Sequence, residues 1–524
     1  MKRRDFFRKT VPAATLIPGV INGFSVQAFA GSSLLQSLLN PVTETDHVLV
    51  IVQLSGGNDG LNTIIPVSTY SNYYNARTNI AIPQNKILKL DGYSSSGLHP
   101  AMTGMQAMYN EGKLTIVQAV GYPSPNFSHF RATDIWMSAS ESNTVMNSGW
   151  GGRFLNVEYP NYPTNYPNTV MPDPLAIQIG SITSLTCQGP VVNMGMSITD
   201  PNSFYNFING VEDPAPANPM GYELTYIREV AKQTNQYAQR VRAAAAAVTQ
   251  QAAYPTGNSL ADQLKIVARL IKGGLKTKIY MVSYGGFDTH SLQANASDTT
   301  TGVHANLLGN VSNALKAFSD DLKFLQVEDR VLGMTFSEFG RRIKSNGSGG
   351  TDHGAAAPMF LFGKKVTPGV LGTNPSIPGN ATFNDNIPFQ YDFRSVYASV
   401  LQRWFCVNET DLQMIMTKKF QQLNVVNDAA CKTPDQNTDE RLLVNYPNPF
   451  VESTTIQFKT KGGHTLIQIL NGLGQVIKTL IDRDYSTAGT YTTSFNSYGL
   501  ATGVYYARLQ NGPVQQVTPM LKVR

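Results

Sequence analysis

The sequence predicts an α/β protein with a largely parallel sheet covered by helices on both faces, followed by a small C-terminal all-β sandwich domain. Apolar, β-branched runs alternate with helical patterns of ten or more residues between positions 47 and 405, which is typical of parallel sheets. Polar clusters flanked by glycine follow several of these runs. After residue 441 the chain changes to short alternating runs separated by turn residues, which indicates a sandwich of short strands.

Each element of the α/β domain follows from a local pattern. Runs of four to eight mostly apolar residues predict buried strands at 47–54, 114–120, 175–179, 278–283, 331–336 and 359–362. Apolar residues at helical spacing predict helices at 100–112, 222–251, 259–272, 303–327 and 392–405. In open α/β sheets, ligands bind beyond the carboxyl ends of the strands. The loops after these strands are therefore the expected positions of a functional site.

The first thirty residues are predicted to be an export signal. A basic start precedes a moderately apolar run, Val11–Phe24, and the small-residue end Ala28–Ala30, which is the layout of a signal peptide. The stretch Arg3–Lys9 resembles the twin-arginine export motif, and an ordinary secretory signal with a chance arginine pair is the alternative. No later window approaches the roughly 18–20 uninterrupted apolar residues of a membrane-spanning helix, so no transmembrane segment is expected.

Charge and cysteine content argue against two classes of function. The formal net charge is +6; residues 1–30 carry +4 and residues 441–524 carry +5, which leaves −3 for residues 31–440. This slightly acidic body lacks the basic face that nucleic-acid binding needs, so no nucleic-acid partner is expected. The three cysteines form no cysteine-based metal or redox motif; Cys406 and Cys431 could close one loop, with Cys187 left over.

The composition also suggests the domain boundaries. Residues 31–431 are predicted to form the α/β domain, residues 432–440 a linker and residues 441–524 the β-domain. Within the β-domain, alternating runs predict strands at 454–458, 465–470, 475–480, 490–495 and 504–509. No acid–base or metal-ligand cluster occurs in this part of the sequence, so any chemistry is expected in the α/β domain.

The candidate site residues share one position, just after a predicted strand or at the start of a helix. They are Asp59 after strand 47–54, Ser128, His129 and Arg131 after strand 114–120, Asp288 and His290 after strand 278–283, and Glu338, Asp352 and His353 after strand 331–336. Carboxylates and imidazoles from separate loops can converge on a divalent metal, and we expect zinc, with manganese, magnesium or calcium as alternatives. A serine that opens a helix adds anion-binding N–H groups, and Arg131 could hold an oxyanion.

Taken singly, each of these residues also has a structural explanation. The alternatives are Asp59 as a turn residue, Ser128 as a helix N-cap, Asp288 as the cap of the next turn, His290 as a surface histidine, Glu338 as an ion-pair partner of Arg341, and Asp352 as a loop carboxylate. The joint position of the residues after strands favours a metal or anion site over these separate explanations.

Seven short motifs, together with the arginine-pair start, carry a resemblance to a known family. The motifs are LSGGNDGLNTIIP (54–66), LHP (98–100), NFSHFRATDIW (126–136), GWGGRF (149–154), GGFDTH (285–290), SEFGRR (337–342) and GTDHG (350–354). Over about residues 45–410 the chain resembles the exported bacterial proteins grouped as domain of unknown function 1501, within the alkaline-phosphatase and sulfatase-like superfamily. The resemblance implies an alkaline-phosphatase-like fold.

The resemblance also implies roles for the site residues. Ser128 would be the nucleophile, with His129 or Arg131 near the oxyanion. One metal would lie among Asp59, Ser128 and Glu338, and another among Asp288, His290 and His353. The chain departs from the superfamily pattern at Phe339, where a histidine is common, so one ligand is missing or is replaced by His129. Asp352 and His353 could themselves be the acid–histidine signature, which would shift the role of Glu338.

The C-terminal block resembles a sorting domain of the type IX secretion system of Bacteroidota. The resemblance rests on YPNPF (446–450), NGLGQVIKTL (471–480), GLATGVYYARL (499–509) and a basic end. It implies that the secretion machinery is a partner and that the protein passes through the periplasm to the cell surface or the exterior.

Two classes of function are therefore expected. The first is an exported metal-dependent hydrolase that acts on phosphate or sulfate esters through a serine nucleophile and one or two divalent metals, with a small ester or a glycan as substrate. The second is a non-catalytic cell-surface binding or structural protein that keeps the same fold; the Tyr- and Asn-rich segment 158–168 could contact carbohydrate, and an ordered loop is its structural explanation. Metal content and turnover distinguish the two classes.

Overall fold

The computed structural model describes residues 45–159, 162–163, 166–201, 236–427, 431, 443–448, 450–471, 476–512 and 514–523, and two short paired strands, Gly19–Ile21 and Phe24–Val26. The chain divides into two compact units, Thr45–Pro434 and one that contains Met1–Glu44 with Asp435–Arg524. Apart from the two short strands, the predicted export signal lies outside the described residues, as do the predicted linker 432–440 and part of segment 158–168. None of the described helices is long and apolar enough to cross a membrane.

A nine-stranded sheet forms the centre of the unit Thr45–Pro434. Its strands are β1 (Val48–Leu54), β2 (Leu114–Gly121), β3 (Ala176–Ile179), β4 (Gly195–Ile198), β5 (Ile279–Tyr284), β6 (Val331–Phe336), β7 (Ala357–Phe362), β8 (Gly369–Leu371) and β9 (Tyr391–Asp392). Their order across the sheet is β8-β2-β7-β6-β1-β5-β3-β4, and β9 also pairs with β2. Every pairing is parallel except the two made by β7, so the predicted largely parallel sheet is confirmed.

The strand directions bring several loops to one edge of the sheet. The ends of β1 and β5 are level, since Leu54 pairs with Tyr284, and β6 ends beside Gln53 of β1. Because β7 alone among these nine strands runs the other way, the loop that precedes it meets the same edge. The loops after β1, β2, β5 and β6 and the loop before β7 therefore share one place in the fold.

Helices cover both faces of the sheet, as predicted. They are α1 (Gly60–Thr63), α2 (Tyr70–Ala76), α3 (Thr103–Asn110), α4 (His129–Ser138), α5 (Trp150–Glu158), α6 (Ser259–Lys272), α7 (Val303–Phe324), α8 (Phe393–Arg403) and α9 (Glu409–Met416), and residues 236–246 are also helical. Side chains of β1 alternate between the two layers: Val50 and Val52 pack with α3, α6 and α7, whereas Leu49 and Ile51 pack with α4, α5, α8 and α9. Each fully buried aliphatic side chain contributes about 1.5–3 kcal/mol of transfer free energy.

The element boundaries agree with the sequence patterns most closely where the apolar spacing is strong. Helix 259–272 and strand 331–336 have the predicted bounds. The helix predicted at 303–327 ends at Phe324, before Gln326 adopts a positive φ of 58°. Residues 222–235 of the helix predicted at 222–251 lie outside the described residues; residues 236–246 are helical, so the helix ends five residues before the predicted bound.

Shorter strands complete this unit. Ile64–Pro66, Leu88–Leu90 and Tyr93–Leu98 form a three-stranded antiparallel sheet that the sequence patterns did not predict. A two-stranded ladder pairs Gly340–Arg341 with His353–Gly354 and places Arg341 directly opposite His353. A disulfide joins Cys406 to Cys431, and Cys187 is a buried free thiol.

The C-terminal strands form two antiparallel sheets. β10 (Leu443–Tyr446), β11 (Ser453–Thr460) and β14 (Gly489–Asn496) make one sheet in the order β10-β11-β14; β12 (Gly463–Leu470), β13 (Val476–Tyr485), β15 (Gly503–Asn511) and β16 (Val514–Lys522) make the other in the order β13-β12-β15-β16. Buried residues of both sheets, including Ile456 and Ile469, share one apolar cluster. The predicted all-β character is confirmed, and the YPNPF segment joins the last strand through a hydrogen bond from Leu521 N–H to Asn448 Oδ1 of 2.7 Å.

Candidate metal centre

The loops after β1, β5 and β6 pack closely at the shared edge of the sheet. Gly56 has a positive φ of 123°, and a Cβ at this position would lie 2.4 Å from the backbone nitrogen of Asp288, so only glycine allows the two loops to approach. Its N–H donates a hydrogen bond of 2.8 Å to Oε1 of Glu338. The glycine-rich turn thus connects the loop that carries Asp288 to the loop that carries Glu338.

His129 is held by a buried carboxylate. It is the first residue of α4, and its Nδ1 lies 2.8 Å from Oε1 of Glu338, whose side chain is 1% exposed. Because a carboxylate oxygen accepts hydrogen bonds, Nδ1 is the donor to Glu338 and Nε2 is the nitrogen left to face Asp288. That Nε2 lies 3.4 Å from Oδ2 of Asp288. A carboxylate behind a histidine in this way is the usual arrangement for a metal-ligating imidazole.

His353 is held by a main-chain carbonyl. Its Nδ1 lies 2.8 Å from the carbonyl oxygen of Phe127, and its Nε2 lies 3.1 Å from Oδ1 of Asp288. A carbonyl oxygen also only accepts, so Nδ1 donates to Phe127 and Nε2 again faces Asp288. Burial lowers the pKa of His353, although its hydrogen bonds to Phe127 and Asp288 oppose the shift. The neutral form that can bind a cation is therefore favoured.

His290 repeats the arrangement with a third acceptor. Its Nδ1 lies 3.1 Å from Oδ1 of Asp352, and the same oxygen accepts a hydrogen bond of 3.0 Å from the side-chain amide of Asn346. Its Nε2 lies 3.1 Å from Oδ1 of Asp288 and 3.0 Å from Nε2 of His353. Three histidines from three loops thus present Nε2 to one carboxylate.

Asp288 is kept ionised by Arg341. The guanidinium of Arg341 is fully buried and donates a hydrogen bond of 2.8 Å to Oδ1 of Asp288. Burial alone would raise the pKa of Asp288, but the hydrogen bonds from Arg341 and His353 and the charges of Arg341 and His290 lower the pKa to about 2. Arg341 also donates to the carbonyls of Gly57 at 2.6 Å and of Thr351 at 2.8 Å, so it connects the three loops of the site.

The donor set fits a divalent cation. Nε2 of His290 and Nε2 of His353 face each other at 3.0 Å; with both protons on Nδ1, two lone pairs at this distance repel unless a proton or a cation lies between them. Ligands of tetrahedral zinc, with bonds of about 2.0–2.1 Å, are roughly 3.3 Å apart, close to the 3.0–3.4 Å separations found here. Donor atoms of His129, Asp288 and His353 all lie within 4.8 Å of one another.

A buried oxygen supports the same conclusion. Oε2 of Glu338 is buried and has no hydrogen-bond partner among the described residues. An unpaired oxygen of a buried carboxylate is costly unless positive charge lies nearby. The Nδ1–H of His129 donates to Oε1 of Glu338 and leaves Oε2 unpaired among the described residues. A cation held by Nε2 of His129 would supply positive charge near this carboxylate.

The structure places Asp59 in a separate network. Its carboxylate is fully buried and accepts hydrogen bonds from Nη1 of Arg77 at 2.9 and 2.7 Å and from Nε2 of Gln293 at 2.6 Å. Burial alone would raise the pKa of Asp59, but the charge of Arg77 and the hydrogen bonds from Gln293 and Arg77 hold the pKa below its usual value. Asp59 thus neutralises a buried arginine, and both of its oxygens are already engaged.

Ser128 and Arg131 lie on the same helix as His129 but have different surroundings. Ser128 is the exposed N-cap of α4, and its hydroxyl makes no capping hydrogen bond. Nη2 of Arg131 donates to the carbonyls of Thr144 at 2.6 Å and Glu141 at 3.1 Å, so this guanidinium fixes the loop after the helix. Ser128 adjoins the histidine cluster, whereas Arg131 is used for structure.

Sequence reasoning missed the role of Arg341 and of the Phe127 carbonyl. The alternative explanation of Glu338 paired it with Arg341; the structure pairs Arg341 with Asp288 and Glu338 with His129. Arg341 stands in the motif SEFGRR directly after a strand, which was a usable signal. A main-chain carbonyl gives no signal in a sequence.

Two family models match the chain. The model of the family described as "Protein of unknown function (DUF1501)" matches residues 116–416, more than half of the chain. The model described as "Secretion system C-terminal sorting domain" matches residues 444–522. No curated protein matches the chain by sequence.

Solved structures with related folds are distant. The chain is similar to Ps i-CgsB in complex with k-i-k-neocarrahexaose, with 12% identity over 90% of this chain and 86% of that chain and a TM-score of 0.33. It is similar to the PsFucS1 sulfatase from Pseudoalteromonas sp., with 10% identity over 87% and 86% and a TM-score of 0.32. It is also similar to a protein in the alkaline phosphatase superfamily from Vibrio parahaemolyticus, with 9% identity over 92% and 83% and a TM-score of 0.31. Likeness at this level assigns no activity.

Proposed function

This chain belongs to the family described as protein of unknown function (DUF1501), and we propose that it is an exported, metal-dependent hydrolase of phosphate or sulfate esters. Its C-terminal sorting domain, matched at residues 444–522, makes it a secreted or cell-surface protein. We include in the proposal that residues 1–30 are the export signal, through the twin-arginine route, that residues 31–431 carry the chemistry, and that residues 441–524 are recognised by the secretion machinery.

One observation carries the proposal: three histidines, each fixed through Nδ1, direct Nε2 to a single ionised carboxylate. His129 is fixed by Glu338, His290 by Asp352, and His353 by the carbonyl of Phe127. Three histidines fixed in this way are expected of metal ligands, since the acceptor sets both the tautomer and the ring orientation. A cation bound by the three Nε2 atoms and Asp288 would account for their convergence on one point.

The ligand chemistry selects among the metals. Imidazole nitrogens suit zinc and other transition metals, whereas calcium and magnesium prefer all-oxygen sites. We therefore propose His129, Asp288, His290 and His353 as the ligands and zinc or manganese as the cation. When bound, such a cation polarises an ester oxygen and stabilises negative charge. Glu338 and Asp352 act behind the histidines, where they hold the Nδ1 protons.

The residues of the chain can supply the remaining chemistry. Ser128 is exposed, its hydroxyl is free of a capping bond, and it precedes His129 directly. The first N–H groups of α4 point towards an anion bound at this end of the helix. Attack by Ser128 Oγ on the phosphorus or sulfur atom would release the alcohol of the ester and leave a covalent serine ester, which water then hydrolyses.

The non-catalytic alternative is favoured by Asp59. A carboxylate that could have held a second cation is bound to Arg77 and Gln293 instead, so the centre has fewer acidic ligands than the two-metal arrangement that the family resemblance implies. A chain that keeps one cation and turns over no ester would be a cell-surface binding or structural protein whose metal joins the loops.

Elemental mass spectrometry of the chain purified without chelators tests the proposal. We expect about one zinc or manganese ion per chain, the occupancy of a single four-ligand centre. Asp288→Asn should lose the metal. Asp320→Asn is the matched control, since the two side chains are 46% and 47% exposed and Asp320 pairs with Lys316 on α7.

Turnover is then measured on a panel of aryl phosphates and aryl sulfates. Ser128→Ala should keep the metal and lose turnover, while Ser259→Ala, which alters an exposed serine at the start of α6, should change neither. A metal-loaded chain that hydrolyses none of these esters would move the assignment to the non-catalytic class, and a metal-free chain would remove the basis of the proposal.

A further inference from the structure

A strip of cations stacked on aromatic rings lies beside the proposed metal centre. The guanidinium of Arg342 lies 5.3 Å from the ring centroid of Phe127, and Nζ of Lys344 lies 4.5 Å from that of Phe383. Phe127 is the residue whose carbonyl holds His353, and Arg342 follows Arg341, which holds Asp288. The first of these pairs therefore includes or adjoins the residues that position two of the proposed ligands, His353 and Asp288.

The two cation–aromatic pairs lie on segments that hydrogen bonds join. The side chain of Arg342 donates a hydrogen bond to the carbonyl of Asn384, and the N–H of Ile343 donates to the carbonyl of Asp385 at 3.1 Å. These bonds hold the segment that contains Phe383 against the segment that contains Arg342 and Lys344. We call Phe127, Arg342, Lys344 and Phe383 the cation–aromatic strip.

The cations of the strip have no acidic partner in the described part of the chain. Both side chains are half-buried, and no ion pair involves them, whereas Arg394, Lys364 and Lys113 are all paired with carboxylates. Two acids lie on segments that bond to this stretch through their main-chain carbonyls; the side chain of Asp352 accepts from Asn346, and that of Asp385 accepts from the N–H of Thr382 at 2.6 Å. The positive charge of the strip is thus available to a ligand.

We propose that the cation–aromatic strip is a subsite for a second anionic group of a glycan substrate, next to the ester that reacts at the metal centre. A guanidinium forms paired hydrogen bonds with sulfate, phosphate or carboxylate oxygens, and an exposed aromatic ring such as Phe383, at 57% exposure, offers an apolar face to a sugar ring. The combination suits an anionic sugar better than a simple monoester. The identity of the substrate in this inference rests on the proposed function, whereas the binding surface is independent of it.

Isothermal titration calorimetry with a heparin-derived disaccharide that carries several sulfates tests the subsite on the full chain. The fully desulfated disaccharide, which keeps its uronate, and a neutral disaccharide are the comparison ligands. We expect the sulfated ligand to bind and the neutral one not to bind. Arg342→Gln and Lys344→Gln should each weaken binding about five-fold, the effect of one half-exposed charge contact, and the double variant should weaken it more than either.

Lys265→Gln is the matched control, because Nζ of Lys265 lies 6.0 Å from the ring centroid of Tyr254 on a different part of the same unit. It should bind the sulfated disaccharide as the unaltered chain does. Equal binding by the double variant, equal weakening by Lys265→Gln, or equal binding of the neutral disaccharide would each overturn the subsite. Binding of the desulfated uronate with the same dependence on Arg342 would support it, with carboxylate as the anion.

The Asp288→Asn variant separates this inference from the proposed function. If the chain binds no metal, the proposed function fails, yet Asp288→Asn should still bind the disaccharide through the strip. If the metal is present and the double variant binds as tightly as the unaltered chain, the subsite fails while the metal centre stands. Circular dichroism melting of each variant confirms that any lost binding does not come from unfolding.

Discussion

Replacing Asp59 with asparagine tests whether this carboxylate holds a metal or neutralises a buried arginine. Nη1 of Arg77 donates to both oxygens of Asp59, at 2.9 and 2.7 Å, and the two side chains are 0% and 1% exposed. Asparagine keeps the size of the side chain and one acceptor oxygen. It removes the charge, so the guanidinium of Arg77 would remain buried without a counter-ion.

The expected loss follows from the burial of the pair. Removing one partner of a buried ion pair lowers the free energy of unfolding by about 3–5 kcal/mol, because the remaining charge stays desolvated. Arg77 keeps its hydrogen bonds to the carbonyls of Ile343 and Arg342, at 2.8–3.0 Å, so we expect the lower end, about 3 kcal/mol. The charge of Arg77 and the hydrogen bonds from Gln293 and Arg77 hold the pKa of Asp59 low despite its burial, so the pair is charged at neutral pH.

Urea unfolding and metal analysis on the same preparation separate the two roles. If Asp59 is structural, Asp59→Asn unfolds at lower urea concentration and keeps its metal. The double variant Asp59→Asn with Arg77→Met should regain part of the loss, since it leaves no unpaired buried charge. Unchanged stability together with a lost metal ion would refute the structural role and return Asp59 to the ligands.

Three further changes should lower either metal affinity or the free energy of unfolding. Glu338→Gln keeps an acceptor for Gly56 and removes the charge behind His129, so metal affinity should fall about 10–100-fold, measured by competition with a chelating dye. Burial lowers the pKa of His304 to about 4 and that of His99 to about 3. Both histidines stay neutral in the folded chain, whereas in the unfolded chain they take up protons below pH 6.5. The free energy of unfolding should therefore fall as the pH drops towards 4. In urea titrations at pH 5 we expect a loss of about 2 kcal/mol per histidine. Cys406 and Cys431 are separated by 25 positions, so replacing both with serine should lower the free energy of unfolding by about 3 kcal/mol in the same assay.

Each of these expectations has an opposite result that counts against it. Unchanged dye competition by Glu338→Gln would show that its carboxylate does not tune His129. Stability that is flat between pH 6.5 and 4, while His304→Asn has no effect on that profile, would contradict buried neutral histidines. Three titratable thiols in the unreduced, unfolded chain would contradict the disulfide.

The sequence located the proposed ligands because the direction of each strand determines at which edge of the sheet its following loop lies. Asp288 and His290 follow β5, and His353 precedes β7; in a sheet where only β7 of the nine strands is reversed, both positions reach one edge. His129 came from the helix that follows β2 at the same edge. The apolar runs that predict these strands therefore also predict which polar residues meet.

The sequence could not separate the acid proposed as a metal ligand from the acids that lie behind a histidine. Asp288 faces the Nε2 atoms of the histidines, whereas Glu338 and Asp352 face Nδ1 atoms on the other side of the rings. Which side a carboxylate faces depends on side-chain rotamers and packing, which the sequence does not give. The Asp59–Arg77 pair was missed for another reason. Arg77 lies at the end of α2 among tyrosines and asparagines, where one arginine gives no sign that it is fully buried.

The charges around the proposed metal centre predict how many cations it would hold. Asp288, Glu338 and Asp352 are acidic, and Arg341 already pairs with Asp288, so one divalent cation balances the remaining negative charge. Asp59 adds none, because Arg77 neutralises it. A second cation would leave excess positive charge, which an anionic ester could balance. Metal content measured with and without inorganic phosphate should therefore stay at about one ion per chain without phosphate, and a rise on adding phosphate would show that the substrate anion completes a second site.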